Sequence, residues 1–234
     1  MPSANKSALL IGATGLVGGH CLPRLLSSPD YSRVCILGRR SSEIRHPKLM
    51  QVTVDFEALP EDPAIFGVDD VFCSLGTTIA KAGSQQPFAR VDRDYPSAIA
   101  ELASRFGAKQ FLLVSSVGAD IQSRNFYLRT KGEVERAISV LPFQSVHIFR
   151  PSMLLGERVE FRWKERLFEP LMKGLQWTFV GALRKYRPID ARDVASAMVN
   201  AASGGGHGIQ TYEGLEIERL TAKSPGDEVL ESRG

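Results

Sequence analysis

The chain predicts an α/β fold built on a doubly wound parallel sheet, with helices on both faces and a small C-terminal substrate lobe. Two observations carry that prediction. Short, near-continuous apolar runs alternate with helix-like stretches from residue 7 to residue 149, and a glycine motif stands at the first strand-to-helix junction. Unbroken apolar strands are strands buried on both faces, joined by right-handed crossovers. An antiparallel sandwich would alternate apolar with polar residues. No repeat of about 20–50 residues, as in a solenoid or propeller, runs through the chain.

The first strand is Ser7 to Ile11, cut off by Gly12, and a helical pattern follows over Leu16 to Ser27 with Pro23 inside it as an expected bend. Strand two is Arg33 to Leu37 and strand three Met50 to Val54. A Pro-rich acidic link, Leu59 to Pro63, leads to strand four, Asp70 to Ser74. A long helical pattern over Gln85 to Phe106 carries Pro96 as an expected kink. Strand five is Gln110 to Val114, a helix covers Asn125 to Val140, and strand six is Ser145 to Phe149. After Pro151 the rhythm changes: residues 157–185 are charged and aromatic, and a helix over Asp190 to Ala202 follows the short run Arg187-Pro188-Ile189. Gly204 to Gly206 read as a turn, and Thr221 to Gly234 as a frayed tail.

Length sets the scale. At roughly 150 residues per domain, 234 residues make one domain plus an appendage. The expected domain spans 1–220, with the lobe over about 151–190. The mix of 43% hydrophobic and 24% charged residues excludes global disorder. A net charge of +3 is too small to argue for nucleic acid. No apolar run approaches the roughly 18 residues of a membrane helix, and no secretory signal opens the chain. Cys21, Cys35 and Cys73 are odd in number and form no CxxC pair, which reads as small buried hydrophobes in a reducing compartment. A cytoplasmic protein is the expectation. His20, His46, His147 and His207 lack metal-ligand spacing, so no metal is expected.

The glycine motif is Gly12-Ala13-Thr14-Gly15-Leu16-Val17-Gly18. Gly12 allows a tight turn, Gly15 lets the backbone approach a diphosphate, and Gly18 permits close helix–sheet packing. The helix amino end then offers free N–H groups and a partial positive charge to phosphates. A site selective for NAD places an acid at the end of strand two. Here that place reads Leu37-Gly38-Arg39-Arg40, and two guanidiniums suit a 2′-phosphate, so NADPH is favoured over NADH. Asp55-Phe56, closing strand three, is read as meeting the adenine, with a capping role for Asp55 as an equal alternative. Leu75, Gly76 and Thr77 follow strand four, where ligands cross the carboxyl ends of a parallel sheet.

Strand five runs out into Ser115-Ser116, and Tyr127 follows eleven residues after Ser116, with Lys131 four residues later. At i and i+4 the Tyr and Lys share a helix face. A carbonyl that receives hydride needs a proton donor, and an ammonium beside a phenol favours its ionised form. Tyr127 is therefore read as the acid, Lys131 as its partner and a hold on the nicotinamide ribose, and Ser116 as the substrate-oxygen partner, with Ser115 facing the other way.

The chain resembles the atypical short-chain dehydrogenases/reductases, and among them the Tat-interacting-protein-like oxidoreductase subgroup and its bacterial relatives. The likeness rests on Gly12 to Gly18, Cys73 to Thr78, Ser115 to Asp120, Tyr127 to Glu133, Phe149 to Gly156 and Asp190 to Ala195, and covers about residues 7–215. It implies a Rossmann fold that binds NADPH, with Ser116, Tyr127 and Lys131 in the family's catalytic roles. It also implies that Pro151 and Met153 lie near the nicotinamide. One departure stands out: Asp92 and Asp94 occupy the stretch where many members carry a catalytic asparagine.

The resulting expectation is an NADPH-dependent reductase acting on a small carbonyl or alcohol. Two rivals are a nucleotide-binding regulator without turnover, and a nucleotide-sugar epimerase or dehydratase, for which the chain after strand six is short. A homodimer or a protein partner is left open. The segment Glu157 to Arg166 reads as a solvated amphipathic helix, and Trp177 and Phe179 as core aromatics of the lobe.

Overall fold

The computed structural model describes residues 5–155 and 187–222. Its strands are β1 (Lys6–Ile11), β2 (Tyr31–Gly38), β3 (Leu49–Thr53), β4 (Asp70–Cys73), β5 (Gln110–Val114), β6 (Ser145–Arg150), β7 (Leu154–Leu155), β8 (Ile189–Asp190) and β9 (Gly208–Glu213). Seven of them form one sheet in the order β3-β2-β1-β4-β5-β6-β9, and every pairing in it is parallel. β7 and β8 pair apart from it.

The helices are α1 (Leu16–Ser27), α2 (Pro63–Phe66), α3 (Ile79–Ala82), α4 (Gln85–Ala89), α5 (Tyr95–Arg105), α6 (Phe126–Ser139), α7 (Ala191–Gly204) and α8 (Leu215–Ala222). Alternate residues of each strand point to opposite faces, and the two faces carry two cores. Ala8, Leu10, Val34, Ile36, Phe72 and Leu112 pack against α1 and α7. Leu9, Ile11, Cys35, Val71, Phe111 and Leu113 pack against α5 and α6. Strands wedged between two helical layers must be apolar on both sides, which is why the runs were unbroken. Burial holds the Cys35 and Cys73 thiols up at about 11 and Cys21 at about 12, so all three stay protonated hydrophobes.

Several expectations shift. α1 runs through Pro23 as one helix. The long pattern over Gln85 to Phe106 is α4, a π-helical turn over Arg90–Asp94, and α5. In a straight α-helix the ring of Pro96 would meet the carbonyl four residues back, that of Asp92. The wider turn accommodates it, with the Tyr95 amide donating to the Arg90 carbonyl. β9 and α8 were not read from the sequence. Thr221 belongs to α8, so the helix overlaps the start of the expected tail. Most of the expected lobe, with the Glu157–Arg166 segment, Trp177 and Phe179, lies outside the described residues.

A polar network crosses the amino ends of the strands. Asp70 accepts hydrogen bonds from Tyr31 Oη (2.7 Å), Lys6 Nζ (3.2 Å) and Gln110 Nε2 (3.0 Å). Ser145 Oγ donates to Gln110 Oε1 at 3.1 Å. The fully buried His147 ring lies 3.2 Å from that amide oxygen and 3.0 Å from Tyr212 Oη.

Candidate functional site

In an open parallel sheet the crevice for a ligand opens where strand order reverses, outside the carboxyl ends. Here that point lies between β1 and β4. The β1–α1 loop closes tightly: Gly15 N–H donates to the Gly12 carbonyl at 2.8 Å, and Gly12 has a left-handed φ of +85°. Ser74 fastens the loop to β4, its amide donating to the Ile11 carbonyl at 3.0 Å and its hydroxyl to the same oxygen at 2.9 Å. Ser74 is a part of the loop's architecture that glycine spacing alone does not announce. α1 begins at Gly15 with no side-chain cap and no acid in its first turn, so its first amides remain available to an anion.

Two cavities meet at Leu75. The first, about 110 Å³, is lined by Gly12, Ala13, Thr14, Arg39, Arg40 and Phe56, among others. The second, about 250 Å³, is lined by Leu16, Val17, Gly76, Thr77, Ser115, Tyr127, Lys131 and Pro151, among others. The glycine loop and the two arginines line the first cavity and the Tyr–Lys pair the second, with Leu75 common to both.

Three expected residues stand elsewhere. Asp55 does not line the first cavity; its Oδ1 accepts from the Glu57 amide at 3.0 Å, the capping alternative. Met153 is exposed and lines neither cavity. Ser116 is buried with its hydroxyl 3.4 Å from the Val117 carbonyl, while Ser115 is the serine on the cavity wall. Val114 and Ser115 both line the second cavity, whereas the sequence reading favoured Ser116.

Below the wall lies a charged floor. Ser115 Oγ donates to Glu135 Oε1, and Arg150 grips the same carboxylate through Nε at 2.9 Å and Nη2 at 2.5 Å. Tyr127, Lys131 and Glu135 follow at i, i+4 and i+8 along α6. Lys131 is buried, and its Nζ pairs with Asp92 Oδ1 at 2.7 Å. Burial is the largest single influence and works against its ammonium, but the Asp92 carboxylate, together with Tyr127 and Cys73, holds the Lys131 pKa above its ordinary value. At the cavity's edge Ser152 Oγ donates to the Arg187 carbonyl at 2.5 Å, tying together the chain on either side of residues 156–186.

Residues 12–184 match a family model described as NAD(P)H-binding. The chain belongs to that NAD(P)H-binding family. Curated members agree with the resemblance read from the motifs. The NAD(P)H-binding chain is 44% identical over 171 residues to Protein HTATIP2 of Rattus norvegicus, covering 70% of each. It is 33% identical over 231 residues to Protein FMP52-1, mitochondrial, of Scheffersomyces stipitis, covering 93% of this chain and 99% of that one. Among solved structures, MoeE5 in complex with UDP-glucose and NAD superposes with a TM-score of 0.66 at 16% identity, over 96% of this chain and 82% of that one. That likeness is one of fold, and it confirms the Rossmann architecture. The FMP52 relatives are named mitochondrial, and the expected cytoplasmic location is withdrawn on that finding. No helix among the described residues is long and apolar enough to cross a membrane, and no group of three or more His, Cys, Asp or Glu there could hold a metal.

Proposed function

We propose that this protein is an oxidoreductase of the short-chain dehydrogenase/reductase type. In this reading it moves hydride between NADP(H) and a small carbonyl or alcohol. The observation that supports the reading is that Tyr127 and Lys131 line a cavity sharing Leu75 with the one lined by the glycine loop, Arg39 and Arg40. The residues fit the cofactor: an uncapped helix amino end for the pyrophosphate, a loop without side chains at Gly12 and Gly15, and paired guanidiniums where a 2′-phosphate would lie. When bound, the nicotinamide supplies or accepts the hydride.

The chain's own groups do the rest. Tyr127 gives a proton to the carbonyl oxygen, or takes one from the alcohol. Lys131, held as an ammonium, stabilises the phenolate and offers its remaining donors to the ribose. Ser115, on the cavity wall, takes the role expected of its neighbour Ser116 once its single hydroxyl hydrogen turns from Glu135 to the substrate oxygen. Pro151 lines the same cavity.

Replacing Tyr127 by Phe tests this directly. NADPH oxidation against a panel of small aldehydes and ketones should fall about a hundredfold or more. Turnover equal to that of the parent protein removes Tyr127 as the acid. In the same assay Ser115→Ala should lose more than Ser116→Ala; the reverse order restores Ser116.

A further inference from the structure

Beneath the crevice one buried carboxylate joins two elements that the proposed cofactor would touch. Asp92 is about 1% exposed. Its Oδ2 accepts from the Thr77 amide at 2.8 Å, in the loop after β4. Its Oδ1 pairs with Lys131 Nζ at 2.7 Å. A Cβ built on Gly76 would stand 3.5 Å from Asp92 Oδ1 and 3.9 Å from Lys131 Nζ, so the ion pair abuts the loop directly. Asp92 belongs to the π-helical turn Arg90–Asp94. Such turns recur at functional sites because they re-aim one side chain without ending the helix.

We infer that Asp92 is a positioning residue that locks the Thr77 loop and the Lys131 ammonium into one unit facing the cofactor. The inference rests on the cofactor reading above. A carboxylate that only balanced a buried lysine would have no need of the Thr77 amide. Taking up both, Asp92 fixes the distance between the loop and the ammonium. Lys131 meets Asp92 as an ion pair and lines the second cavity, where its ammonium can donate to ligand hydroxyls.

The test is NADPH affinity, measured by titration calorimetry on the full chain without any substrate. Asp92→Asn should weaken binding about tenfold or more, and Asp92→Glu, which keeps the charge but displaces it by a methylene, about threefold or more. In a Lys131→Met background, adding Asp92→Asn should change affinity less than about twofold, because the ammonium is gone and the Asn side-chain oxygen can still accept from the Thr77 amide. Should Asp92→Asn fail to fold, the Glu variant and the double variant carry the test. Parent-like affinity in Asp92→Glu overturns the inference, as does a full Asp92→Asn loss in the Lys131→Met background. If the parent protein itself binds neither NADPH nor NADH, it is the cofactor reading that fails, a result distinct from either.

Discussion

A methyl group on Gly18 would stand 2.1 Å from the Gly12 carbonyl oxygen and 2.6 Å from Ser74 Oγ. Neither neighbour is free to yield, since one is backbone and the other is bonded to Ile11. Gly18→Ala should therefore push α1 off the sheet, destabilising the fold by about 1–3 kcal/mol in denaturant unfolding and weakening nucleotide binding with it. At Arg39 and Arg40 the effect is one of charge. Replacing both by Ala should weaken NADPH much more than NADH in parallel titrations; equal losses would defeat the 2′-phosphate assignment. Residue by residue, the placing of the glycine loop, both arginines, Tyr127 and Lys131 on the cavity walls was legible because it depends on spacing along one element. The serine that lines the cavity, Ser115, stands one position before the Ser116 preferred from the sequence, because which of two adjacent strand-end residues faces the cavity depends on the path of the chain beyond the strand. The partners of Asp92 and Glu135 were hidden because they come from elements far away in sequence.

Among the elements, the strands of the inner sheet were the plainest, since burial on both faces leaves an unbroken apolar run. β9 was missed for the opposite reason. It pairs with β6 at the sheet's edge, and its sequence Gly-Ile-Gln-Thr-Tyr-Glu is half polar and partly exposed, with Ile209 itself open to solvent. Pro96 was correctly marked as a disturbance, but its form could not be read from the sequence. A proline can be met by a kink or by a wider turn, and the choice depends on what the turn can reach. Here the turn that relieves Pro96 also carries Asp92. Pro96→Ala should remove the need for the π turn, and a several-fold loss of NADPH affinity at near-parent thermal stability is the expected signature of an Asp92 that no longer reaches both partners.

For the molecule as a whole, the two ends of the sheet have different tasks. The carboxyl ends form the crevice, and the amino ends carry the buried network through Asp70, Gln110 and His147. Gln110 Oε1 can only accept, so His147 Nε2 carries a hydrogen. Burial, with a smaller push from Lys6, lowers its pKa to about 4. In the unfolded chain the imidazole takes up a proton near its ordinary value of about 6.5. Between those two values the unfolded state binds more protons, so stability falls as pH drops from about 6.5 to about 4, by about 3 kcal/mol in full. Urea unfolding at pH 7 and pH 4.5 should show this extra loss in the parent protein and not in a His147→Gln variant. An identical pH dependence in both would rule His147 out as its source. The sheet order also bears on synthesis. β1 meets β4 only after β2 and β3 have been made, and β6 gains its outer neighbour β9 only when α7 is complete. Parallel pairings are non-local and slow to form. A chain emerging amino end first therefore holds every residue from the glycine loop to Lys131 well before its outer strand exists. The nucleotide crevice is early in the order of manufacture, and the last strand serves as its retaining edge.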